Sequence, residues 1–124
     1  MKKNITFYWS ANCSTYQKAK KSIERHGIKD YALRDIKKNP LSVDEVDGLA
    51  KKLNGAGELF SRRAVKYREM KLNERELSET EMIDLMTGEY TFLKRPILVI
   101  GDKAIAGFLE RFFQDFIYKN YLQK

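Results

Sequence analysis

Cys13 is the single cysteine of the chain. It stands where a thiol is most readily made reactive. The apolar run Ile5-Thr6-Phe7-Tyr8-Trp9 before it reads as a buried strand. The segment from Ser14 to Ile23 after it reads as a helix ending at His26-Gly27. A cysteine at such a junction meets the unpaired N–H groups and positive dipole end of the helix, and both favour thiolate over thiol. A free cysteine is often simply buried, but the polar neighbours Ser10, Asn12, Ser14 and Thr15 argue for a site that is not sealed and apolar. Arginines supply the complementary charge, because a guanidinium fork stabilises a thiolate and binds an oxyanion. Arg62 and Arg63 stand in the middle of the chain and Arg95 precedes Pro96. Taken singly, each fits an ordinary surface charge.

The elements that must position these residues follow from pattern. Residues 30–36 read as a second strand one helix after the first, which makes a βαβ unit with a right-handed crossover. Asn39-Pro40-Leu41 interrupts. Ser42 and Glu45 form a capping box that opens a helix through Val46, Leu49, Ala50 and Leu53, stopped by Asn54-Gly55-Ala56-Gly57. Residues 58–77 are mixed and charged. Ser78 and Glu81 form a second capping box, for a helix through Met82, Leu85 and Met86 that ends at Gly88. Ile97-Leu98-Val99-Ile100 and Lys103-Ala104-Ile105-Ala106, joined by Gly101-Asp102, read as a hairpin. Phe108 to Leu122 forms an amphipathic terminal helix expected to pack on the sheet, with its aromatics in the core.

Length and composition agree with one globular domain. The chain has 124 residues, 43% hydrophobic and 33% charged, with a net charge of +7. That balance excludes a disordered chain, and the basic surface would draw anions, acidic proteins or nucleic acid. One cysteine excludes an internal disulfide framework. The first apolar run is too short for a signal segment or a membrane span, so a cytoplasmic protein with a free thiol and no membrane partner is expected.

The element order, strand-helix-strand then helices then strand-strand-helix, is that of the thioredoxin fold. The expected class is α/β, a mixed four-stranded sheet with a helical insert at about residues 42–92, in a single domain over residues 1–124. In that fold a cis-proline before the third strand packs beside the reactive cysteine. Pro96 occupies that place, and sequence leaves its isomer open between cis and an ordinary trans turn.

Phe7-Tyr8-Trp9-Ser10-Ala11-Asn12-Cys13-Ser14-Thr15-Tyr16-Gln17-Lys18-Ala19 resembles the active-site loop of the arsenate reductase (ArsC)/Spx/YffB family. Asn39-Pro40-Leu41-Ser42, Phe60-Ser61-Arg62-Arg63 with Tyr67, and Leu93-Lys94-Arg95-Pro96-Ile97-Leu98 are similar to its later signatures, in order and at matching spacing. The resemblance implies that Cys13 is the nucleophile and that Arg95 and Pro96 are the arginine and cis-proline beside it. It assigns the middle arginine to Arg63 or Arg62, with Arg63 favoured because Tyr67 lies four residues on. Ser14, Thr15 and Tyr16 would offer backbone N–H groups to an oxyanion.

Departures from the family pattern are as informative. Glutathione-coupled arsenate reductases carry a third arginine after the hairpin, where this chain reads Ala104-Ile105-Ala106-Gly107-Phe108. Spx regulators commonly carry Cys-x-x-Cys, where this chain has Tyr16. A basic residue frequent in the family is replaced by Gln17. Elsewhere, His26 suits a helix cap. One Cys and one His give no metal site by spacing, and Asn54-Gly55-Ala56-Gly57 lacks the lysine of a P-loop.

The leading expectation is a thiol oxidoreductase of the arsenate reductase type, with no bound cofactor. Cys13 would attack a small oxyanion or a mixed disulfide. Glutathione would be the co-substrate, and glutaredoxin or a similar reductant would resolve the adduct. The alternative is an Spx-like transcriptional regulator that binds the C-terminal domain of the RNA polymerase α-subunit, with Asn54-Gly55 on its contact surface.

Overall fold

The computed structural model describes residues 4–10 and 15–122. The chain divides into two compact units, residues 1–39 with 95–124 and residues 40–94.

The first unit carries the sheet. β1 (Ile5–Trp9), β2 (Ala32–Asp35), β3 (Ile97–Ile100) and β4 (Lys103–Ala106) are arranged in the order β2-β1-β3-β4. β1 and β2 are parallel, joined by helix α1 (Tyr16–Arg25), while β1/β3 and β3/β4 are antiparallel. The mixed sheet is therefore the expected one. Side chains alternate across a strand, so Ile5 and Phe7 of β1 share a face with their register partners Ile100 and Leu98 of β3. On that face they meet Ala19 and Ile23 of α1 and Phe113 and Ile117 of the terminal helix in one buried cluster. All four residues of β3 are buried, as suits a strand inside a sheet. Gly101 turns the β3–β4 hairpin at φ 63°, a conformation open to glycine at little steric cost.

The last helix differs from the expectation. It spans Glu110–Ile117 and passes into a wider π-type turn over Tyr118–Leu122. Only Phe113 and Ile117 are fully buried; Phe108 and Phe116 pack partly against the core, and Phe112 is 60% exposed. Residues 113 and 117 are one helical step of four apart, and the stripe they make is too narrow to bring Phe112 inward.

The second unit is helical. Both capping boxes form: Ser42 Oγ accepts from the Glu45 N–H at 3.1 Å while Glu45 accepts from the Ser42 N–H at 3.0 Å. Ser78 and Glu81 repeat the pair at 3.1 Å and 3.1 Å. They start α2 (Val43–Lys52) and α5 (Glu79–Gly88). The Asn54–Gly57 stop is immediately followed by α3 (Ala56–Leu59). Gly55 turns the chain at φ 140°, and the Glu79 carboxylate accepts from the Ala56 N–H at 2.8 Å. Within 58–77 the chain also forms the short helix α4 (Val65–Glu69) and a 3-10 turn over Leu72–Glu74. Phe60 stacks on Phe92 at 5.2 Å between ring centroids and anchors this unit.

Candidate active site

The end of β1 lies beside the start of β3. Trp9, its last residue, lies opposite Asp35 of β2, and Tyr8 lies opposite Ile97 of β3. Pro96 immediately precedes Ile97, the residue of β3 at which its pairing with β1 ends. The chain segment that leads to Cys13 thus leaves the sheet beside Arg95-Pro96. Cys13 and Ser14 lie outside the described residues. The Arg95–Pro96 peptide bond is cis. Pro96 is buried, and its carbonyl accepts from the Gly107 N–H at 2.8 Å, which ties the head of β3 to the exit of β4. Arg95 is half-buried.

Helix α1 begins directly after the loop. Thr15 is its N-cap, in helical conformation and without a side-chain cap bond, and the first turn carries no acidic residue. Ser42 and Ser78 do cap their helices, so the contrast lies in the site and not in residue type. A first turn without carboxylates leaves the positive dipole end of α1 without a counter-charge from its own helix. The Tyr16 side chain has a packing role besides the backbone N–H expected from sequence. Its ring stacks on Trp9 at 4.6 Å and on Phe7 at 5.7 Å, which pins the first residue of α1 to the end of β1. Lys20 lies 5.9 Å from the centre of the same ring. The charge and hydrogen bonding of Tyr16 hold the Lys20 ammonium above its usual range.

Ser10 overturns one expectation. It is fully buried, and its hydroxyl has no partner among the described residues. The polar residue nearest the strand therefore does not open the site to water.

Arg62 and Arg63 are exposed and belong to the second unit. The Arg62 guanidinium sits 5.8 Å from the centre of the Phe60 ring. The Arg63 N–H donates to Ser61 Oγ at 3.3 Å. Tyr67 meets Phe60 edge-on at 6.1 Å, so its spacing from Arg63 is accounted for by packing within the unit. His26 caps α1, its Nδ1 lying 2.7 Å from the Ser22 carbonyl oxygen. Among the described residues no cluster of His, Cys, Asp and Glu could hold a metal ion, and no helix is long and apolar enough to cross a membrane.

The Trp9–Tyr16 stack was not read from the sequence, although a signal existed. Phe7 and Trp9 are two residues apart on one strand face, and Tyr16 opens the helix that must cover that face.

A mixed sheet of this order, with a helix springing from the central strand and a cis-proline at the head of β3, defines a thioredoxin-like protein. The ArsC family model matches residues 8–116, and the chain belongs to the ArsC family. It is 35% identical to the uncharacterized protein YusI of Bacillus subtilis, over 90% of this chain and 97% of that one. It is 31% identical to the global transcriptional regulator Spx 2 of Bacillus cereus, over 91% of this chain and 86% of the regulator. The arsenate reductase of Vibrio cholerae shares its fold, with a TM-score of 0.76 at 21% identity, over 86% of this chain and 92% of that one.

Proposed function

We propose that this protein is an arsenate-reductase-like thiol oxidoreductase with Cys13 as its nucleophile. The observation that carries the reading is a cis-Pro96 directly before Ile97, which pairs with Tyr8 near the end of β1, from which the chain runs to its only thiol. The Cys13 thiolate attacks arsenic in arsenate. A sulfur–arsenic bond forms and an oxygen leaves as water. Glutathione then attacks the cysteine sulfur, so that two electrons pass to arsenic, arsenite departs and a mixed disulfide remains. A glutaredoxin thiol takes the glutathione away and restores Cys13. The N–H groups of Ser14, Thr15 and Tyr16, with Arg95, hold the oxyanion. The external thiol is required because the chain has no second cysteine.

The test is arsenite formation from arsenate, glutathione and glutaredoxin, run beside Cys13→Ser. Turnover that depends on Cys13 supports the reading. Its absence shifts weight to a second reading, favoured by the similarity to Spx 2: a regulator that binds the RNA polymerase α-subunit, tested by pull-down with that subunit. The thiol itself is probed by alkylation rate against pH. A depressed pKa is expected, and Arg95→Ala should raise it. A wild-type profile with the ordinary thiol value, about 8.5, would defeat the proposal.

A further inference from the structure

The terminal helix α6 (Glu110–Ile117) turns its apolar surplus outward. Phe112 is 60% exposed and Leu109 66%, and the following turn leaves Tyr118 at 56%, Tyr121 at 39% and Leu122 at 44%. With each aromatic side chain carrying roughly 200 Å², the three rings leave about 300 Å² in water, and the two leucines bring the patch to roughly 500 Å². Such a patch supplies roughly 60% of the ~800 Å² that one partner contributes to a standard interface, and the flanking charged chains of the helix supply the rest. An open groove of about 880 Å³ runs beside it, lined by His26, Arg111, Phe112, Asp115 and Tyr118 among others.

We propose that this face binds a second copy of the chain, α6 against α6 in antiparallel orientation. The charges on the helix carry the choice of partner. Arg111 and Asp115 line the same groove one turn apart. Arg111 has no ion-pair partner among the described residues, while Asp115 holds Lys119 at 3.2 Å. When two identical helices pair antiparallel about the level of residue 113, residue 111 of each faces residue 115 of the other. The Arg111–Asp115 contact then forms twice, once on each side of the two-fold axis, and the two Phe112 rings flank that axis. A C2 contact needs this self-complementarity. A partner that was uniformly acidic or basic would meet one charge of the pair with the wrong sign.

The test is sedimentation velocity of the full chain across roughly 5–500 µM, a range suited to an interface near the lower end of the size scale. Excess reductant is kept present so that no disulfide contributes. The expected result is a concentration-dependent shift from 14.6 kDa toward twice that mass. Phe112→Asp should weaken the association at least about tenfold, as loss of a central aromatic anchor does. Arg111→Asp and Asp115→Arg should each weaken it, and the double reversal should restore it. These side chains are exposed, so folding is preserved, and circular dichroism verifies it. A wild-type chain that stays monomeric at the highest concentration overturns the proposal. So does a dimer indifferent to Phe112→Asp, or one that the double reversal does not rescue.

Discussion

Replacing Tyr16 by alanine tests how the loop that leads to Cys13 is anchored. The Tyr16 ring stacks on Trp9 at 4.6 Å and 22° and on Phe7 at 5.7 Å and 20°, and the side chain is half-buried. Each aromatic pair contributes about 0.5–1.5 kcal/mol beyond area burial. About 100 Å² of ring withdrawn from water adds roughly 2.5 kcal/mol. Because the site is half-open, part of the loss is recovered by relaxation, and the expected destabilisation is about 3 kcal/mol, within the range for removal of an aromatic ring. Trp9, the only tryptophan, lies in the stack, so urea unfolding followed by its fluorescence reads the first unit directly. Tyr16→Phe keeps both stacks and should cost under about 1 kcal/mol. A loss below about 1 kcal/mol for Tyr16→Ala would refute the idea that this stack fixes the start of α1.

Ser22 is fully buried and its hydroxyl has no partner among the described residues. Ser22→Ala removes an unsatisfied group and improves helix propensity, so it should stabilise by about 1 kcal/mol; thermal unfolding that falls instead would contradict this. Ser78→Ala removes a helix cap and should cost about 1 kcal/mol in urea unfolding. Hydrogen bonds, first from Arg75 and then from the Ser78 N–H, hold the Glu81 carboxyl below its ordinary value of 4.5. Its contribution to stability is therefore present above about that pH and is lost as pH falls through the lowered folded value. Arg75→Ala should move the Glu81 titration, followed by carboxyl NMR, back toward the ordinary value, and an unmoved curve would show that Arg75 is not the cause.

Regular elements were legible wherever periodicity or capping chemistry was local. β1 emerges with the bounds read for it, and both Ser-x-x-Glu capping boxes form with reciprocal bonds. Pro96 could be placed before β3 from sequence, but its isomer depends on the tertiary surroundings of one bond, and the structure supplies it as cis. The mixed stretch 58–77 hid two short helical pieces, because helices of five residues or fewer carry too few positions to show a period. The residue type of Phe112 suits a core, and on type alone it is expected inward. Burial is instead decided by which stripe faces α1 and the sheet, and that stripe contains Phe113 and Ile117. The polarity of Ser10 argues for a site that is not sealed and apolar, whereas its position just after β1 places it fully inside.

The proposed thiol chemistry and the proposed pairing surface occupy opposite ends of one helix. Cys13 precedes Tyr16, the first residue of α1, while His26, which follows its last residue Arg25, lines the groove beside α6. Ten helical residues span roughly 15 Å. A copy docked on α6 therefore sits at the far end of α1 from Tyr16, apart from the helix start that the proposed thiol chemistry uses. It follows that Phe112→Asp should dissociate the pair yet leave the alkylation rate of Cys13 unchanged at every pH. A parallel fall in both would mean that the two ends of α1 are coupled, and that the α6 face contributes to the thiol site.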